Sequence, residues 1–370
     1  MTSIFYELVQ VAIGTRAKLS YTPSAVEWHD VYVQSKKQAL LGISFYGVHR
    51  IYSDYSEQTN NLPENLKKKW MMDALSIQRR NETLNQQCRM VQDDFLKSGF
   101  RSTILKGQGV ASYYNKDISC FRQSGDIDVW INGTWRDVMT FVNSRSPNRE
   151  FDKKHTHLLC FPDTIVEVHW WPTMAVNPLY KRAVQSYYRE QVSTQCAYKV
   201  TLFDGVQIYA PDPIFEAIHV LYHIFNHFLY EGIGLRQFMD LYFVLVNGNL
   251  TPKDRTEILC TAERLGLASF VPAVMWVLSH VFKMSDEFCI GSIDAEFGTV
   301  LLNEIEKGGN FGTHSKENHI VNESFLHRMK RRFQRRVKLI KFNPCGVFFS
   351  PFTKISTILW KRKVIRMYNL

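Results

Sequence analysis

The sequence predicts an α+β protein, a small mixed sheet held between helical regions, on three observations. Residues 62–97 set apolar side chains at helical spacing, with Pro63 near the start and Gly99 after the stop, as one long amphipathic helix does. From residue 99 to 210 the chain changes to short β-rich runs broken by glycine and turn residues. After Pro211 helical periodicity returns and holds to the end. With 370 residues, 45% of them apolar and 14% aromatic, the chain is long enough for more than one core and is neither disordered nor fibrous in composition.

The first sixty residues suggest shorter helices and loops. "STILKG" (residues 102–107) is a strand ending at glycine, "GVASYY" opens a short helix, and "DIDVWI" is the second strand. Asn132-Gly133 turns the chain, and Thr134 with Asp137 forms a capping box that opens a helix to about Asn143. "HTHLLCF" and "TIVEVHWW" alternate and join at Pro162-Asp163, a hairpin signal. Strand, helix, strand, helix and hairpin make a small mixed sheet. Further on, Asp212 caps a helix with Pro213 at its first position, and Thr251 with Asp254 repeats the capping box. The expected division is an N-terminal helical region (1–98), an α/β core (99–210), a C-terminal helical domain (211–325) and a basic segment (326–370).

The net charge of +10 is concentrated: Arg328, Lys330, Arg331, Arg332, Arg335, Arg336, Lys338 and Lys341 crowd one short segment. Such a run suits a polyanion or an anionic membrane surface, or serves as a solvated helix face. Seven cysteines (Cys88, Cys120, Cys160, Cys196, Cys260, Cys289, Cys345) are widely spaced without a C-x-x-C pair, so neither a disulfide framework nor a zinc knuckle is indicated. The start lacks a basic region and carries Glu7 in its apolar part, and the longest apolar stretch, from Phe270, is too short to span a bilayer. A cytoplasmic protein is expected, with residues 328–341 as its means of touching a membrane from the side.

Chemistry enters at "RQSGDIDVWINGT". In a strand alternate side chains share a face, so Asp126 and Asp128 converge while Ile127 and Val129 face the other way. Converging like charges raise each other's pKa unless a cation lies between them. Mg²⁺ (or Mn²⁺) prefers such carboxylate oxygens and completes its shell with water and phosphate. Glu167, on a neighbouring strand and sharing its face with His169, offers a third acid. Three acids can hold two metals, the arrangement of phosphoryl and nucleotidyl transfer. Lys106-Gly107 ends the preceding strand, and Arg122 with Ser124-Gly125 leads into the aspartates. Glycines let backbone N–H groups approach phosphate, and Lys and Arg neutralise it. The bland alternative is turn glycines and solvated cations, and for Arg122 a structural salt bridge is the equal rival.

His219, His223 and His227 repeat every four residues, a stripe with zinc-ligand spacing and no nearby acid to complete it. The alternatives are polar residues facing a cleft, or packed histidines. Arg236 and Asp240, also four apart, brace a helix, and Trp170, Trp171 and Tyr180 read as core rather than base-stacking residues.

"TILKGQGVASYYNKDISCFRQSGDIDVWI" resembles the signature of the polymerase-β-like nucleotidyltransferases, most closely the uncharacterised bacterial nucleotidyltransferase family with its "LKG … R … DIDV" pattern. More loosely it is similar to the abortive-infection and toxin nucleotidyltransferases with a "KGGT … S-x-D-x-D" core. The likeness runs from about Leu62 to Asn247, through "VEVHW" and "HVLYHIFNHFLYEGIGLRQFMDLYFVL". It implies a polymerase-β-like core in which Asp126 and Asp128 bind metal and Glu167 is the third acid, as ligand or general base. It also implies that Lys106 and Gly107 lie against the triphosphate and that His223 and His227 border the nucleotide. Two departures stand out: Gly107-Gln108-Gly109 replaces the usual Gly-Ser or Gly-Gly, and Glu167 replaces a frequent Asp.

The expected function is therefore Mg²⁺-dependent transfer of a nucleoside monophosphate from a nucleoside triphosphate, ATP among them, to a hydroxyl acceptor, with release of pyrophosphate. The acceptor is open between a glycan precursor, a metabolite, a protein and an RNA. The rivals are a non-catalytic nucleic-acid or membrane-surface binding protein on a degenerate transferase scaffold, and a toxin that modifies tRNA.

Overall fold

The structure is a computed structural model, and it describes residues 3–148, 150–175, 177–194, 198–230, 232–310 and 344–368. The basic run 328–341 lies outside the described residues.

Three helices open the chain, α1 (Ser3–Ile13), α2 (Ala25–Lys37) and α3 (Leu41–Asp54). A capping box between Ser24 and Glu27 starts α2. The long helix appears as α4 (Glu64–Lys97), about 50 Å from end to end at the usual rise, and the chain leaves it through Gly99 at φ +84°. It joins two apolar cores: Leu66 and Trp70 belong to the first, while Leu84, Cys88, Val91 and Phe95 belong to the second.

The second core underlies a sheet of β1 (Ser102–Leu105), β2 (Ile127–Ile131), β3 (His155–Leu158) and β4 (Val166–His169). Their order is β1-β2-β4-β3, with β2 and β4 parallel and the outer pairs antiparallel. Short helices α5 (Gly107–Ala111) and α6 (Lys116–Ser119) link β1 to β2, and α7 (Trp135–Arg145) follows β2 from the expected Thr134/Asp137 capping box. The two alternating runs do form the β3–β4 hairpin. β2 begins one residue later than its sequence suggests, at Ile127, so Asp126 stands just ahead of the strand.

After α8 (Lys181–Gln191) comes a hairpin that the sequence reading did not anticipate, β5 (Tyr198–Thr201) with β6 (Gln207–Ala210). Its signal is present: Asp204-Gly205 turns the chain with Gly205 at φ +85°, and Ile208 and Ala210 are buried while Tyr209 is not.

The remaining helices are α9 (Pro213–Tyr230), α10 (Leu235–Asn247), α11 (Pro252–Arg264), α12 (Val271–Phe282) and α13 (Ala295–Gly308). Asp212 caps α9 by accepting the Phe215 amide, and α11 starts with the Thr251/Asp254 box. These helices share the first core with α1–α3, and buried amides tie the halves together: Gln10 donates to the Val281 carbonyl, and Gln38 accepts from the Leu235 amide.

A last helix, α14 (Pro344–Tyr368), returns to the sheet's core. Val364 is buried there, and the Trp360 ring meets Trp135 and Phe151 edge-on at 5.8 and 5.9 Å. Trp170 lies in the same core, as the sequence suggests, with its indole N–H on the Lys153 carbonyl. Among the described residues no helix is long and apolar enough to cross a membrane.

Candidate active site

Strand register decides which side chains meet. Asp128 on β2 lies beside Glu167 on β4, and Glu167 lies beside His157 on β3. His169, two residues on from Glu167, lies beside His155. With a period of two, Asp128, Glu167, His169, His155 and His157 therefore share one face. Their atoms are in reach of each other: His169 Nε2 is 3.0 Å from Asp128 Oδ1 and 3.3 Å from Glu167 Oε2. His155 Nδ1 is 3.3 Å from Glu167 Oε2, and His157 Nε2 is 3.8 Å from Glu167 Oε1.

A cation comes from the turn after β1. Lys106 Nζ sits 2.9 Å from Asp128 Oδ1. The turn needs unusual backbone: Lys106 has φ +51° and Gly107 φ +39°, a region that a lysine rarely adopts. Two contacts hold it there. The Lys106 amide donates to Glu216 Oε1 of α9 at 3.3 Å. Behind it α5 sits hard on β1, since a Cβ at Gly109 would come within 2.6 Å of the Ile104 carbonyl oxygen.

The protonation states follow from burial set against neighbours. Burial works to raise Asp128, yet Lys106 and His169 hold its carboxyl well below the usual range. Glu167 is likewise held at about 2: burial works to raise it, and the His169 hydrogen bond together with the charges of His155 and His169 overcomes that. His169 is raised despite burial because both carboxylates accept from it. His155, desolvated and next to His169, falls to about 3. Asp126, just ahead of β2, is raised by desolvation first and by the Asp128 charge next. Glu216 is fully buried, its Oε2 has no hydrogen-bond partner, and burial pushes its carboxyl up to about 8.

The loop entering β2 is clamped from several sides. Arg122 is buried and turned toward α10: its Nε and Nη2 reach the Asp240 carboxylate at 2.7 and 2.8 Å, and its Nη1 donates to Ser124 Oγ at 2.6 Å. Tyr114 donates to the same carboxylate at 2.7 Å. Arg122 thus takes the salt-bridge course in this structure, and it is Asp240's close partner, while Arg236 Nη1 donates to the Gln123 carbonyl. From α4, Asn81 donates to the Cys120 and Arg122 carbonyls, each at 2.7 Å, and Arg80 reaches the Gly125 carbonyl, Asp163 and Thr164. Gly125 itself is exposed beside the aspartates.

Of the histidine stripe on α9, His223 and His227 stack edge-on with ring centres 4.2 Å apart. Burial, then the charge on Lys106, disfavours the protonated form of His223. Among the described residues, the histidines gathered within ligand distance of an acid are His155 and His169 around Glu167, rather than that stripe. His155, His157, Glu216, Arg80 and Asn81 were not anticipated. For the two histidines the signal was in the alternation of "HTHL", which puts both beside Glu167 once β3 pairs with β4.

The donor set of Asp126, Asp128 and Glu167 is made of hard carboxylate oxygens, with Asp128 and Glu167 side by side on neighbouring strands. Those residues fit a divalent cation.

Fold and site together define an α+β protein with a cluster of acids and histidines on the central strands of its sheet. Residues 24–283 match the family described as uncharacterised nucleotidyltransferase, and the chain belongs to that family. A solved structure of an antigenic nucleotidyltransferase-like protein from Paracoccidioides brasiliensis is similar at 13% identity, over 58% of this chain and 94% of that one, with a TM-score of 0.31. No curated protein matches the sequence.

Proposed function

We propose that the protein is a Mg²⁺- or Mn²⁺-dependent nucleotidyltransferase, in which an acceptor hydroxyl attacks the α-phosphorus of a nucleoside triphosphate and pyrophosphate leaves. The observation that carries this is the cross-strand pairing of Asp128 with Glu167, with Asp126 at the open end and Lys106 reaching in. Asp126, Asp128 and Glu167 would hold the cation, which supplies charge neutralisation for the phosphates and the leaving pyrophosphate. A carboxyl at about 2 is a poor proton acceptor near neutrality, which favours the ligand role for Glu167 over that of a general base.

Lys106 and the Gly107 backbone orient the triphosphate, with exposed Gly125 leaving room for a close approach. Arg122 and Ser124 act one step back, fixing the loop that aims Asp126. His223 and His227 border the nucleotide from α9. The acceptor is left to experiment, among glycan precursors, metabolites, proteins and RNA.

The test needs no acceptor. Thermal melting with ATP, GTP, CTP and UTP, each with and without Mg²⁺, is compared between wild type and Asp126→Asn/Asp128→Asn. A ligand at 100 times its dissociation constant stabilises a fold by about 2.7 kcal/mol. One nucleotide raising the melting temperature only with Mg²⁺, and not in the double variant, supports the proposal. No shift at saturating nucleotide overturns it.

A further inference from the structure

We infer that His155, Glu167 and His169, with Asp128 beside them, form a binding site for a transition metal of borderline softness such as Zn²⁺, chemically different from the carboxylate seat proposed above. The site shares two acids with that seat but does not need a nucleotide to be read.

The tautomer of His169 is the first argument. Its Nδ1 lies 3.2 Å from the Trp171 carbonyl oxygen, which can only accept, so Nδ1 carries a proton. Its Nε2 faces Asp128 Oδ1 and Glu167 Oε2 at 3.0 and 3.3 Å, hydrogen-bonded to them when no metal is bound, and a bound metal would take the place of that Nε2 proton. An imidazole with one N–H on a backbone carbonyl and the other nitrogen aimed at carboxylates is the arrangement of a metal-ligating histidine.

His155 supplies the second. Its Nδ1 is shut off from solvent and makes no hydrogen bond, although it lies 3.3 Å from Glu167 Oε2. Its ring stands edge-on to His169 with centres 4.9 Å apart, so both nitrogens converge on one carboxylate.

Spacing is the third. A tetrahedral shell with bonds of about 2.0–2.1 Å has edges of about 3.3 Å. The separations of 3.3 Å from Glu167 Oε2 to each imidazole nitrogen match such edges, and one atom from each of His155, Glu167 and His169 lies within 4.8 Å of the other two. Two nitrogens among the donors favour Zn²⁺ or Co²⁺ over Mg²⁺, which seeks oxygen. The carboxylate oxygens keep their preference for the hard ion, so the two kinds of metal compete for the shared Asp128 and Glu167.

The experiment uses the full chain without an affinity tag, stripped with chelator and free of nucleotide. Co²⁺ is titrated and its visible absorption followed, then Zn²⁺ or Mg²⁺ is added as competitor. The expected result is one equivalent of Co²⁺ giving the strong absorption of a four-coordinate site, displaced by one equivalent of Zn²⁺ but not by a hundredfold excess of Mg²⁺. His155→Gln and His169→Asn should each weaken Co²⁺ binding at least tenfold, whereas Asp126→Asn should leave it intact. Mg²⁺ displacing Co²⁺ at similar concentration, or His155→Gln binding like wild type, overturns the inference. The wild-type competition decides the matter even if a variant does not fold. A failed nucleotide-melting test with intact Co²⁺ binding sinks the transferase proposal alone, and the reverse outcome sinks this site alone.

Discussion

Two clusters of charge meet the chain at the strand that carries Asp128 and in the loop just before it, and they are built on different terms. The Asp240 carboxylate itself is well matched: Arg122 forks onto it, Tyr114 donates to it, and Ser124 takes the remaining arm of Arg122. Around Glu167 the groups are crowded and only partly matched, although Asp128 has Lys106 and His169 against it. Asp126 is raised by its surroundings, His155 Nδ1 makes no hydrogen bond, and Lys106 reaches its acid from a rare backbone conformation. A matched cluster holds a fold together, whereas an unmatched one stores unfavourable energy that a ligand can relieve. The difference teaches which of two neighbouring charged clusters is scaffold and which is site.

The sharpest way to break this contrast is to remove one acid from each cluster. Asp240→Asn should cost about 3–5 kcal/mol in urea unfolding, because it strands a buried guanidinium. Asp126→Asn should leave stability within about 1 kcal/mol or raise it, since the carboxylate there is disfavoured already. Equal losses in the two variants would erase the distinction.

A somewhat smaller effect should come from Glu216, beneath the Lys106 turn. Its folded pKa of about 8 stands above the ordinary 4.5, so the folded chain keeps a proton that the unfolded chain has released. The stability from this group is thus fully present below pH 4.5 and is lost as pH rises toward 8, about 3 kcal/mol by pH 7. Stability profiles of wild type and Glu216→Gln should therefore differ in slope between pH 4.5 and 8, with the wild type falling faster. Parallel profiles would mean that Glu216 ionises normally.

The smallest effect concerns the backbone of Lys106. Lys106→Ala and Lys106→Gly lose the same ammonium, so their difference isolates the cost of φ +51°. Glycine should be the more stable by about 1 kcal/mol, the reverse of its ordinary rank. Calorimetry of the two variants side by side measures it.

What the sequence disclosed depended on the range of the signal. The long helix α4, the capping boxes at Thr134 and Thr251 and the β3–β4 hairpin are all written in residues a few positions apart, and all were legible. So was the shared face of Glu167 and His169. Arg122 and Asp240 are 118 positions apart, and nothing local in a single chain tells an arginine which carboxylate it will meet. Asp240 was read with Arg236 because helical spacing is the local rule, and its close partner arrived from elsewhere. Glu216 hid for a related reason: on α9 it looks like an ordinary first-turn acid, and only tertiary packing buries it under the Lys106 amide. The β5–β6 hairpin was a different kind of omission, since Asp204-Gly205 was there to be read.

The helix α14 carries a consequence for the order of events in synthesis. Its Tyr368 hydroxyl donates to the Arg136 carbonyl, 232 positions away, and its Trp360 fills the aromatic shelf of Trp135 and Phe151. While the ribosome is still making the intervening chain, that shelf is wet and sticky, and contacts of such long range form slowly. The newborn sheet must therefore wait, with an open greasy flank, for a helix delivered long after its strands.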